Sequence, residues 1–385
     1  MNKTVLMLVF NNFKNDSRVL KECFTLEKSG YNVKVVALHE SGLEEYEEYS
    51  TNISVHRVKL ASRKLPKSLP FQVIKYFELV YQIIKRYKDI DIVHCNDISP
   101  LPVAVLLKKV YPKKNIKIVY DAHEYQIETQ KLKGKKIRKY LTFITEKSLI
   151  KKVDSVITVS EGIAKEYSRI YSIPQPVLVL NTPNLKEVEK TNKFREIFNI
   201  SESSKIALYQ GAISEGRGID ILISAYKKIA PEDLVIVFMG MGAMVEKVKH
   251  EMLENQGIYY LDAVPPNQIM EYTSSADIGI SLIEDSCLNY YYCLPNKMFE
   301  YAMAGVPLLV SNLPEMKKIV TKYNAGIVVE SFKEEDIVEG LKRISSSDLA
   351  ELSSNSKKIS RDYNWELQER KLMKVYNHLT KRSKV

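Results

Sequence analysis

The stretch KTVLMLVFNNFKNDSRVLKECFTLEKSGYNVKVVAL, residues 3–38, contains two apolar segments with a helical pattern between them. Residues 3–10 and 31–38 have the composition of β-strands, and residues 17–30 have the spacing of an amphipathic helix. A strand, a helix and a second strand in this order are typical of a βαβ unit, whose parallel strands are joined by a helix that covers the sheet. The stretch therefore predicts an α/β fold built on a parallel sheet.

The same alternation continues along the chain and then starts again. Strand-like segments recur up to about residue 180, and a second series begins near residue 205 with KIALYQG, LVIVFMG and DIGISLI. Residues 181–204 are polar and rich in turn-forming residues, so they are predicted to be a linker. At 385 residues the chain is long for one core. We predict two doubly wound domains in tandem.

The composition is that of a globular protein, with 45% hydrophobic and 27% charged residues. The four cysteines are scattered without a CxxC pair, which argues against a disulfide framework or a structural zinc site and favours a reducing compartment. The first apolar run, residues 5–10, is too short for a signal peptide, and no run reaches the roughly 18 residues of a membrane span. We expect a soluble, intracellular protein.

The net charge of +10 is concentrated in the first half of the chain. Residues 1–180 contain 31 Lys and Arg against 19 Asp and Glu, whereas the remaining residues contain 26 against 28. Such asymmetry indicates an anionic partner for the first half, although a lysine-rich surface kept for solubility would give the same count. The sequence has no helix-turn-helix, zinc-finger or RNP pattern, so we do not expect nucleic acid.

The segment LPNKMFEYAMAGVPLLVS, residues 294–311, places the carboxylate of Glu300 on an otherwise apolar helix. Pro295 suits the helix start, and Gly305 marks its end. The first amides of this helix, near Asn296 and Lys297, would face an anion, and Lys297 adds a positive charge. Glu300 could then accept hydrogen bonds from the two hydroxyls of a ribose. The alternative is a structural ion pair.

The segment YQGAISEGRGID, residues 209–220, predicts a strand, a glycine-containing loop and a helix that begins near Gly218. The guanidinium of Arg217 and the first helical amides would form a phosphate site. A plain turn with a surface arginine is the alternative. The nearby FMGMGAM, residues 238–244, lacks the third glycine of a dinucleotide fingerprint and is only a weak nucleotide signal.

Six segments together resemble the bacterial GT-B glycosyltransferases of glycosyltransferase family 4 over essentially the whole chain. They are residues 15–37, DIVHCND at 91–97, YDAHE at 120–124, VDSVITVSEGI at 153–163, residues 211–226 and residues 294–311. The resemblance implies two Rossmann-like domains that face each other across a cleft. Residues 1–183 would form the acceptor-side domain, joined by a returning helix at about 364–385, and residues 184–363 the donor domain.

The same resemblance implies an activity and roles for individual residues. The implied reaction is sugar transfer with retention from a nucleotide-sugar, most simply a UDP-sugar, with no cofactor or metal. Glu300 would bind the ribose, Gly211, Arg217, Asn296 and Lys297 would surround the diphosphate, and His123 would contact the donor sugar as the catalytic residue. The acceptor-side candidates are Asn15, Asp16, Arg18, Asn96 and Asp97.

Three positions depart from the family pattern. Tyr292 stands where the E-x7-E motif has its first glutamate, so an aromatic side chain would take part in binding the donor sugar. Ala212 stands where an arginine commonly follows the glycine, and NNFKNDSRV replaces a Gly-Gly pair in the first loop. We expect these changes to weaken phosphate binding unless Lys297 compensates.

A possible metal motif is rejected. Asp89 and Asp91 match the DxD pattern with which another glycosyltransferase fold holds a metal ion, but here they begin a strand, at the edge of a parallel sheet that is opposite the expected site. His94, inside that strand, is expected to be a satisfied structural histidine.

Two basic segments of mixed character lie in the first half. Residues 131–152 carry nine basic residues and one acidic residue interleaved with apolar ones, and residues 63–88 are similar. Such stretches lie on anionic membrane surfaces. We therefore expect a cytoplasmic protein attached to the inner face of the plasma membrane, with a lipid-linked or glycan acceptor. The alternative is that both helices simply pack on the sheet with their lysines in water.

Two other functions remain open from the sequence. A non-catalytic nucleotide-sugar-binding protein would have the same two-domain form. A GT-B epimerase acting on a UDP-sugar would need additional acid and base carboxylates, of which no clear set is evident.

Overall fold

The computed structural model describes residues 3–14, 16–229 and 233–380. The chain divides into two compact units. The first unit contains the residues up to Val179 together with those from Glu369 onward, and the second contains Leu180–Gln368. Each unit is an α/β structure built on a sheet, as the alternating pattern predicted.

The first unit contains a sheet with the strand order β3-β4-β2-β1-β5-β6-β7-β8. The strands β1 to β8 are Thr4–Leu8, Asn32–Leu38, Tyr46–Ser50, Ile53–Val58, Ile92–Asn96, Lys117–Ala122, Ser155–Thr158 and Val177–Leu178. β3 pairs with β4 in antiparallel orientation, whereas the other pairs in the described sheet are parallel. The helices α1 to α5 are Ser17–Lys28, Leu69–Arg86, Leu101–Val110, Lys136–Ile150 and Glu161–Tyr171.

The direction of each crossover determines which face of this sheet a helix covers. The connections that contain α2, α3 and α4 all run the same way across the strand order, from β4 to β5, β6 and β7, whereas α1 connects β1 to β2 in the opposite direction. Because crossovers between parallel strands are right-handed, α2, α3 and α4 lie together on one face and α1 lies on the other. The switch in direction falls between β1 and β5.

The second unit contains a parallel sheet with the order β11-β10-β9-β12-β13-β14. Strands β9 to β14 are Lys205–Ala212, Leu234–Met241, Ile258–Asp262, Ile278–Ser281, Leu308–Val310 and Gly326–Val328. The helices α6 to α14 are Lys193–Phe198, Ile219–Tyr226, Val245–Glu254, Ile269–Thr273, Leu288–Tyr291, Asn296–Met303, Pro314–Tyr323, Glu334–Ser346 and Leu349–Asp362. The strand order reverses beside β9, and ligands of such sheets bind beyond the carboxyl ends of the strands at that point.

The predicted linker at residues 181–204 is wrong. This segment contains α6, and its Phe194 is fully buried in the hydrophobic core of the second unit. The amide of Phe194 also donates a hydrogen bond to the hydroxyl of Ser275 over 2.9 Å. A single aromatic residue among polar neighbours therefore attaches the segment to the second unit.

The last helix, α15, Trp365–Thr380, carries the chain from the second unit back to the first. Within the second unit, the amide of Trp365 donates to the carbonyl of Pro183 over 2.8 Å. Within the first unit, the buried Tyr376 hydroxyl lies 2.7 Å from Nδ1 of His94. The boundaries between the two units fall at 179/180 and 368/369. The boundaries expected from the sequence were 183/184 and 363/364.

Candidate functional site

Lys297 is buried without a hydrogen-bonding partner in the second unit. Its side chain is 8% exposed, and Nζ lies 3.5 Å from the centre of the Tyr209 ring. Among the described residues, Nζ donates no hydrogen bond. Burial, followed by repulsion from Arg217, holds the pKa of Lys297 well below its usual value. Because buried polar groups are nearly always satisfied, this unsatisfied side-chain nitrogen indicates a site for an anion.

Arg217 lies on the same side of the second unit. Its guanidinium stacks 4.6 Å from the centre of the Tyr290 ring. The loop that carries Arg217 depends on Gly216, which has a positive φ of 74°. A Cβ on Gly216 would lie only 2.8 Å from the Tyr290 ring, so a larger residue would displace the ring from the arginine. The glycine-rich sequence thus fixes where the guanidinium stands.

Glu300 is not the lone carboxylate that the sequence suggested. It is partly buried, and its Oε2 accepts a hydrogen bond from the Gln210 side chain over 2.5 Å. The other end of that amide, Oε1 of Gln210, accepts from the Thr273 hydroxyl over 2.8 Å. The amide of Gln210 therefore orients the carboxylate. A carboxylate has about four acceptor positions, so the bond from Gln210 takes only one of those of Glu300.

Tyr301 attaches helix α11 to the centre of the sheet. Its buried hydroxyl donates to the carbonyl of Leu208 over 2.9 Å and accepts from the amide of Gln210 over 3.0 Å. Gly279 makes this approach possible, because a Cβ there would lie 2.4 Å from the Tyr301 ring. The start of α11, which carries Lys297, is thereby held at the carboxyl end of β9.

The remaining donor-side candidates lie nearby in the chain. Gly211, at the end of β9, is exposed and has a φ of 104°, which favours glycine. Asn296 is exposed as the first residue of α11. Tyr292 is partly buried, and its ring packs edge-on against Tyr291 at 4.9 Å. We refer to Tyr209, Arg217, Tyr290, Lys297 and Glu300 as the lysine cluster.

A second group of charged residues is buried in the first unit. Asp121 is fully buried and accepts hydrogen bonds from Nε and Nη2 of Arg18 over 2.7–2.9 Å. Oδ2 of Asp121 also lies 3.1 Å from Nε2 of His123. Burial alone would raise the pKa of Asp121, but the charges of Arg18 and His123 hold it well below the usual range. The carboxylate therefore stays ionised.

His123 is held in its cationic form by this carboxylate. Its side chain is 19% exposed, and its backbone amide donates to Oδ1 of Asp97 over 3.1 Å. Burial lowers its pKa, but the charge and hydrogen bond of Asp121 outweigh burial and raise the pKa to about 9. The bond to Asp121 occupies Nε2, which leaves Nδ1 available for a ligand.

Two more ionisable groups complete what we call the histidine cluster: Arg18, Glu22, His94, Asp121 and His123. Glu22 and His94 are fully buried, and Nε2 of His94 lies 3.6 Å from Oε2 of Glu22. Burial and the charge of Asp121 raise the pKa of Glu22 to about 8. His94 bonds the Tyr376 hydroxyl through Nδ1, whereas its Nε2 has no hydrogen-bond partner among the described residues, so the expectation of a satisfied histidine holds for one ring nitrogen only.

Glu22, His94 and Asp121 have ligand atoms within 4.8 Å of one another, a spacing that could suit a metal ion. Arg18 argues against that use, because Nε lies 3.3 Å from Oε1 of Glu22 while the same guanidinium binds Asp121. The positive charge is thus already supplied by the protein. The rejected DxD pair lies elsewhere, with Asp89 bonded to Lys114 over 2.6 Å.

The acceptor-side candidates have mainly structural contacts. Asp16 is the N-cap of α1 and accepts from the amide of Val19. Asp97 has a φ of 69°, and Oδ1 accepts from the Gln126 side chain over 2.8 Å. Asn96 is buried and donates to the carbonyl of Leu8 over 3.3 Å.

The expectation that Arg18 reaches an acceptor is corrected, because its side chain is 4% exposed and its donors are occupied by Asp121 and the carbonyl of Val179. Asn15 lies outside the described residues.

The sequence reasoning missed Asp121, Glu22, Gln210 and Tyr209. For Asp121 a signal existed, because it lies two residues before His123 at a strand end, and residues at that spacing point to one side of a strand. The contacts of Glu22 and Gln210 depend on residues that are distant in sequence, which no local pattern shows.

Comparison with known families identifies the class of protein. Residues 18–183 match the family model described as Glycosyltransferase Family 4, and residues 190–362 match the model described as Glycosyl transferases group 1. The chain belongs to these glycosyltransferases. The resemblance drawn from the sequence motifs is therefore confirmed, and the protein is an enzyme that transfers glycosyl groups.

Individual proteins show the same relationship. A chitobiosyldiphosphodolichol beta-mannosyltransferase of Debaryomyces hansenii is 22% identical over 378 residues, which cover 88% of this chain and 78% of that one. The structure of a sucrose-phosphate synthase from Thermosynechococcus elongatus has a TM-score of 0.80 at 17% identity, covering 98% and 99% of the two chains. HepE of Anabaena, solved with UDP-glucose, has a TM-score of 0.71 at 10% identity over 97% and 99%. The predicted GT-B fold is confirmed.

Proposed function

We propose that the protein transfers a hexosyl or N-acetylhexosaminyl group from a UDP-sugar to a lipid-linked glycan acceptor. The observation that carries the proposal is the buried, unpartnered side-chain nitrogen of Lys297, which lies close enough to Arg217 for the two charges to repel and one helical turn from Glu300. Cations beside a carboxylate that can accept two hydroxyls match a diphosphate joined to a ribose. HepE, which has the same fold, was solved with UDP-glucose, and this favours a uridine nucleotide.

The lysine cluster would bind the donor through charge and hydrogen bonding. Lys297, Arg217 and the first amides of α11 would contact the diphosphate, since the start of a helix favours anions. As the bond to the sugar breaks, negative charge grows on the departing diphosphate, and donors already aimed at it stabilise that state. Removing one such donor typically lowers a rate by ~10²–10³. Tyr292 would contact the donor sugar, and Asn296 would contact the phosphates.

His123 would hold the transferred sugar. Its pKa of about 9 keeps the ring protonated at neutral pH, so Nδ1 is a charged hydrogen-bond donor toward a sugar hydroxyl. Asp121 fixes the ring through Nε2 and is a positioning residue. The family resemblance implied contact between His123 and the donor sugar, and the proposal adds that the contact is a charged hydrogen bond from Nδ1.

We propose retention of configuration and metal-independent chemistry. Glu300, the acidic member of the lysine cluster, is hydrogen-bonded to Gln210 and is assigned to the ribose, so we assign no carboxylate of this cluster as a covalent nucleophile. The cationic groups Lys297 and Arg217 supply the charge that a metal ion provides in other transferases. Because a relative is named as a beta-mannosyltransferase, the anomeric configuration of the product is the direct test of retention.

The surface formed by α2 and α4 supports attachment to an anionic membrane. Large apolar side chains are exposed along both helices, at Leu69, Val73, Ile74, Phe77 and Tyr81 on α2 and at Ile137, Tyr140, Leu141 and Ile144 on α4. Exposed basic residues accompany them, at Lys64, Lys67, Lys85, Lys135, Lys136, Arg138 and Lys147. Both helices lie on the same face of the sheet. We call this the basic apolar face.

The basic apolar face combines the two forces that hold a protein on a bilayer surface. Apolar side chains enter the headgroup region, and each lysine or arginine adds ~1 kcal/mol near anionic lipids. Among the described helices, none has the length and apolar character to cross a membrane. Peripheral attachment at the cytoplasmic face of the plasma membrane would bring the enzyme to a lipid-linked acceptor, the class of substrate named for the Debaryomyces relative.

The experiment that tests the function is a screen of UDP-, GDP- and ADP-sugars for release of the nucleoside diphosphate. We expect release from one donor class, with faster release when lipid-linked acceptor is present in phosphatidylglycerol vesicles. A binding protein would bind the donor without release. An epimerase would change the sugar while leaving it attached to the nucleotide. Either of these outcomes would replace the proposed transfer.

A further inference from the structure

We propose that Lys297 is uncharged in the empty site and takes up a proton when the nucleoside diphosphate of the donor binds. This inference rests on the proposed function of the lysine cluster. It concerns the protonation state of that site, which decides when its positive charge is present.

The position of Nζ disfavours a charge in the empty site. The side chain is only 8% exposed, and Nζ lies 3.5 Å from the centre of the Tyr209 ring. No described oxygen is within hydrogen-bonding distance. An ammonium normally keeps three donors satisfied, and contact with one aromatic face replaces only part of that solvation. A buried lysine in this situation releases its proton.

The groups around Lys297 on the neighbouring strand, helix and loop do not favour a positive charge on it. Arg217, in the loop before α7, repels a second cation. Tyr209 on β9 presents its aromatic ring to Nζ, and burial raises the pKa of its hydroxyl further above the usual value, so the group is neutral. Burial also raises the pKa of the Cys293 thiol to about 12, so this sulfur is neutral.

Glu300 is the remaining ionisable group near Lys297. It lies on the same helix and attracts a positive charge, but this effect is smaller than those of burial and Arg217. Its Oε2 is hydrogen-bonded to Gln210. Nζ of Lys297 has no hydrogen-bond partner among the described residues, so it donates none to this carboxylate. The empty site therefore favours the neutral amine.

A bound diphosphate reverses this balance. Its oxygens provide hydrogen-bond acceptors and negative charge beside Nζ, which favours the charged amine. A proton then moves from solvent to Nζ, while the nucleotide, whose last phosphate pKa is about 6, remains fully ionised at pH 8. By linkage, binding that takes up a proton weakens as the pH rises. The site would thus develop its full charge only when the leaving group is present.

Calorimetric titration with UDP at pH 8 tests the proposal. The titration is repeated in buffers that differ in ionisation enthalpy, and the slope of the observed binding enthalpy against that enthalpy gives the number of protons taken up. We expect a slope close to one proton per UDP for the wild-type protein. Lys297→Arg should bind UDP with a slope near zero, because a guanidinium is always protonated. Lys317→Arg, on α12, is the matched control and should keep the wild-type slope.

Each outcome has a defined meaning. UDP binding by the wild-type protein with no proton uptake would overturn the inference while leaving the donor site in place. Uptake that persists in Lys297→Arg would assign the proton to another group and would also overturn it. If UDP does not bind at all, the proposed function itself fails. Should Lys297→Arg not fold, Lys297→Met provides the same comparison, with weakened binding and no uptake expected.

Discussion

At the scale of single residues, the pairing of Asp121 with His123 makes a specific pH dependence. The folded protein holds the pKa of His123 at about 9 through the charge of Asp121, against the effect of burial. We expect Asp121→Asn to leave burial as the main influence, so that the pKa of His123 falls below its ordinary value and the ring is neutral at pH 7.5. Histidine ring signals followed by NMR over pH 5–10 would measure this.

Activity should follow the same change. For the wild-type enzyme we expect turnover to persist up to about pH 9, and for Asp121→Asn the upper limit should move to lower pH, because the protonated ring is lost earlier. Asp89→Asn, which removes an exposed carboxylate paired with Lys114, is the control and should leave the profile unchanged. An unchanged His123 signal in Asp121→Asn would contradict the positioning role.

Glu300 supplies a second residue-level prediction. Glu300→Gln should weaken UDP binding about tenfold or more, since a hydrogen bond to a charged group contributes ~1.5–3 kcal/mol. The matched ligand is 2′-deoxy-UDP, which lacks one hydroxyl of the ribose. Wild-type protein should discriminate between the two nucleotides by titration calorimetry, and the variant should discriminate much less. Equal affinity of the wild-type protein for both ligands would remove Glu300 from the ribose.

The residues that the sequence identified are those whose chemistry conflicts with their local pattern. Glu300 and Lys297 stand out because charges interrupt an apolar helix, and Arg217 stands out in a glycine-rich loop. Gln210 gives no such signal, and the position of Asp121 two residues before His123 does not reveal the partner of that carboxylate. Their importance arises from partners 90 and 103 positions away, at Glu300 and Arg18, and only the pairing of distant strands brings these together.

At the scale of elements, α4 shows why the basic apolar face has its orientation. The buried Glu146 on α4 accepts hydrogen bonds from the hydroxyls of Tyr120, Tyr167 and Tyr171 at 2.5–2.6 Å. Three hydrogen bonds satisfy the carboxylate, so the helix is attached to the unit partly through a polar contact. Its apolar residues Ile137, Tyr140 and Leu141 are left on the outside.

Flotation with lipid vesicles tests the function of that face. We expect the wild-type protein to float with phosphatidylglycerol vesicles at low salt, to be released at high salt, and to ignore phosphatidylcholine vesicles. Phe77→Glu and Ile137→Glu should weaken flotation because each removes an exposed apolar group and adds a repelled charge. Leu253→Glu on α8, which alters an equally exposed leucine of the second unit, should float normally.

If the wild-type protein does not bind anionic vesicles at low salt, the membrane proposal fails. The lysines of α2 and α4 then serve only to solvate the surface. The enzyme would then act on a soluble acceptor, and the lysine and histidine clusters would account for transfer without a membrane surface.

The sequence predicted the strands and helices well where apolar runs are long. It failed where a single residue determines how a segment packs. The strands β1, β9 and β10 are continuous apolar runs of the kind that parallel sheets bury. Helix α6 was mistaken for a linker, because its attachment depends on the single aromatic Phe194. Periodicity also identified α2 and α4 as amphipathic without showing which of their faces packs on the sheet.

At the scale of the whole molecule, the positive charges are placed where anions are expected. The excess of Lys and Arg in the first 180 residues, 31 against 19 acidic residues, includes those of the basic apolar face. The second half has a slight excess of acidic residues, 28 against 26, yet it concentrates Arg217 and Lys297 around the carboxyl end of β9. Net charge alone therefore does not locate the donor site, whereas burial and the lack of a partner for Lys297 do.

This distribution of charge leads to the prediction that transfer does not depend on a divalent metal. Lys297, Arg217 and the first amides of α11 would compensate the diphosphate, and Arg18 already pairs with the Asp121 carboxylate of the histidine cluster. We expect product formation, measured as UDP release with acceptor present, to change less than twofold after EDTA treatment and dialysis. Loss of activity that manganese or magnesium restores would contradict this. In that case, Asp89→Asn would show whether the DxD pair is responsible, and Glu22→Gln would test the buried carboxylates.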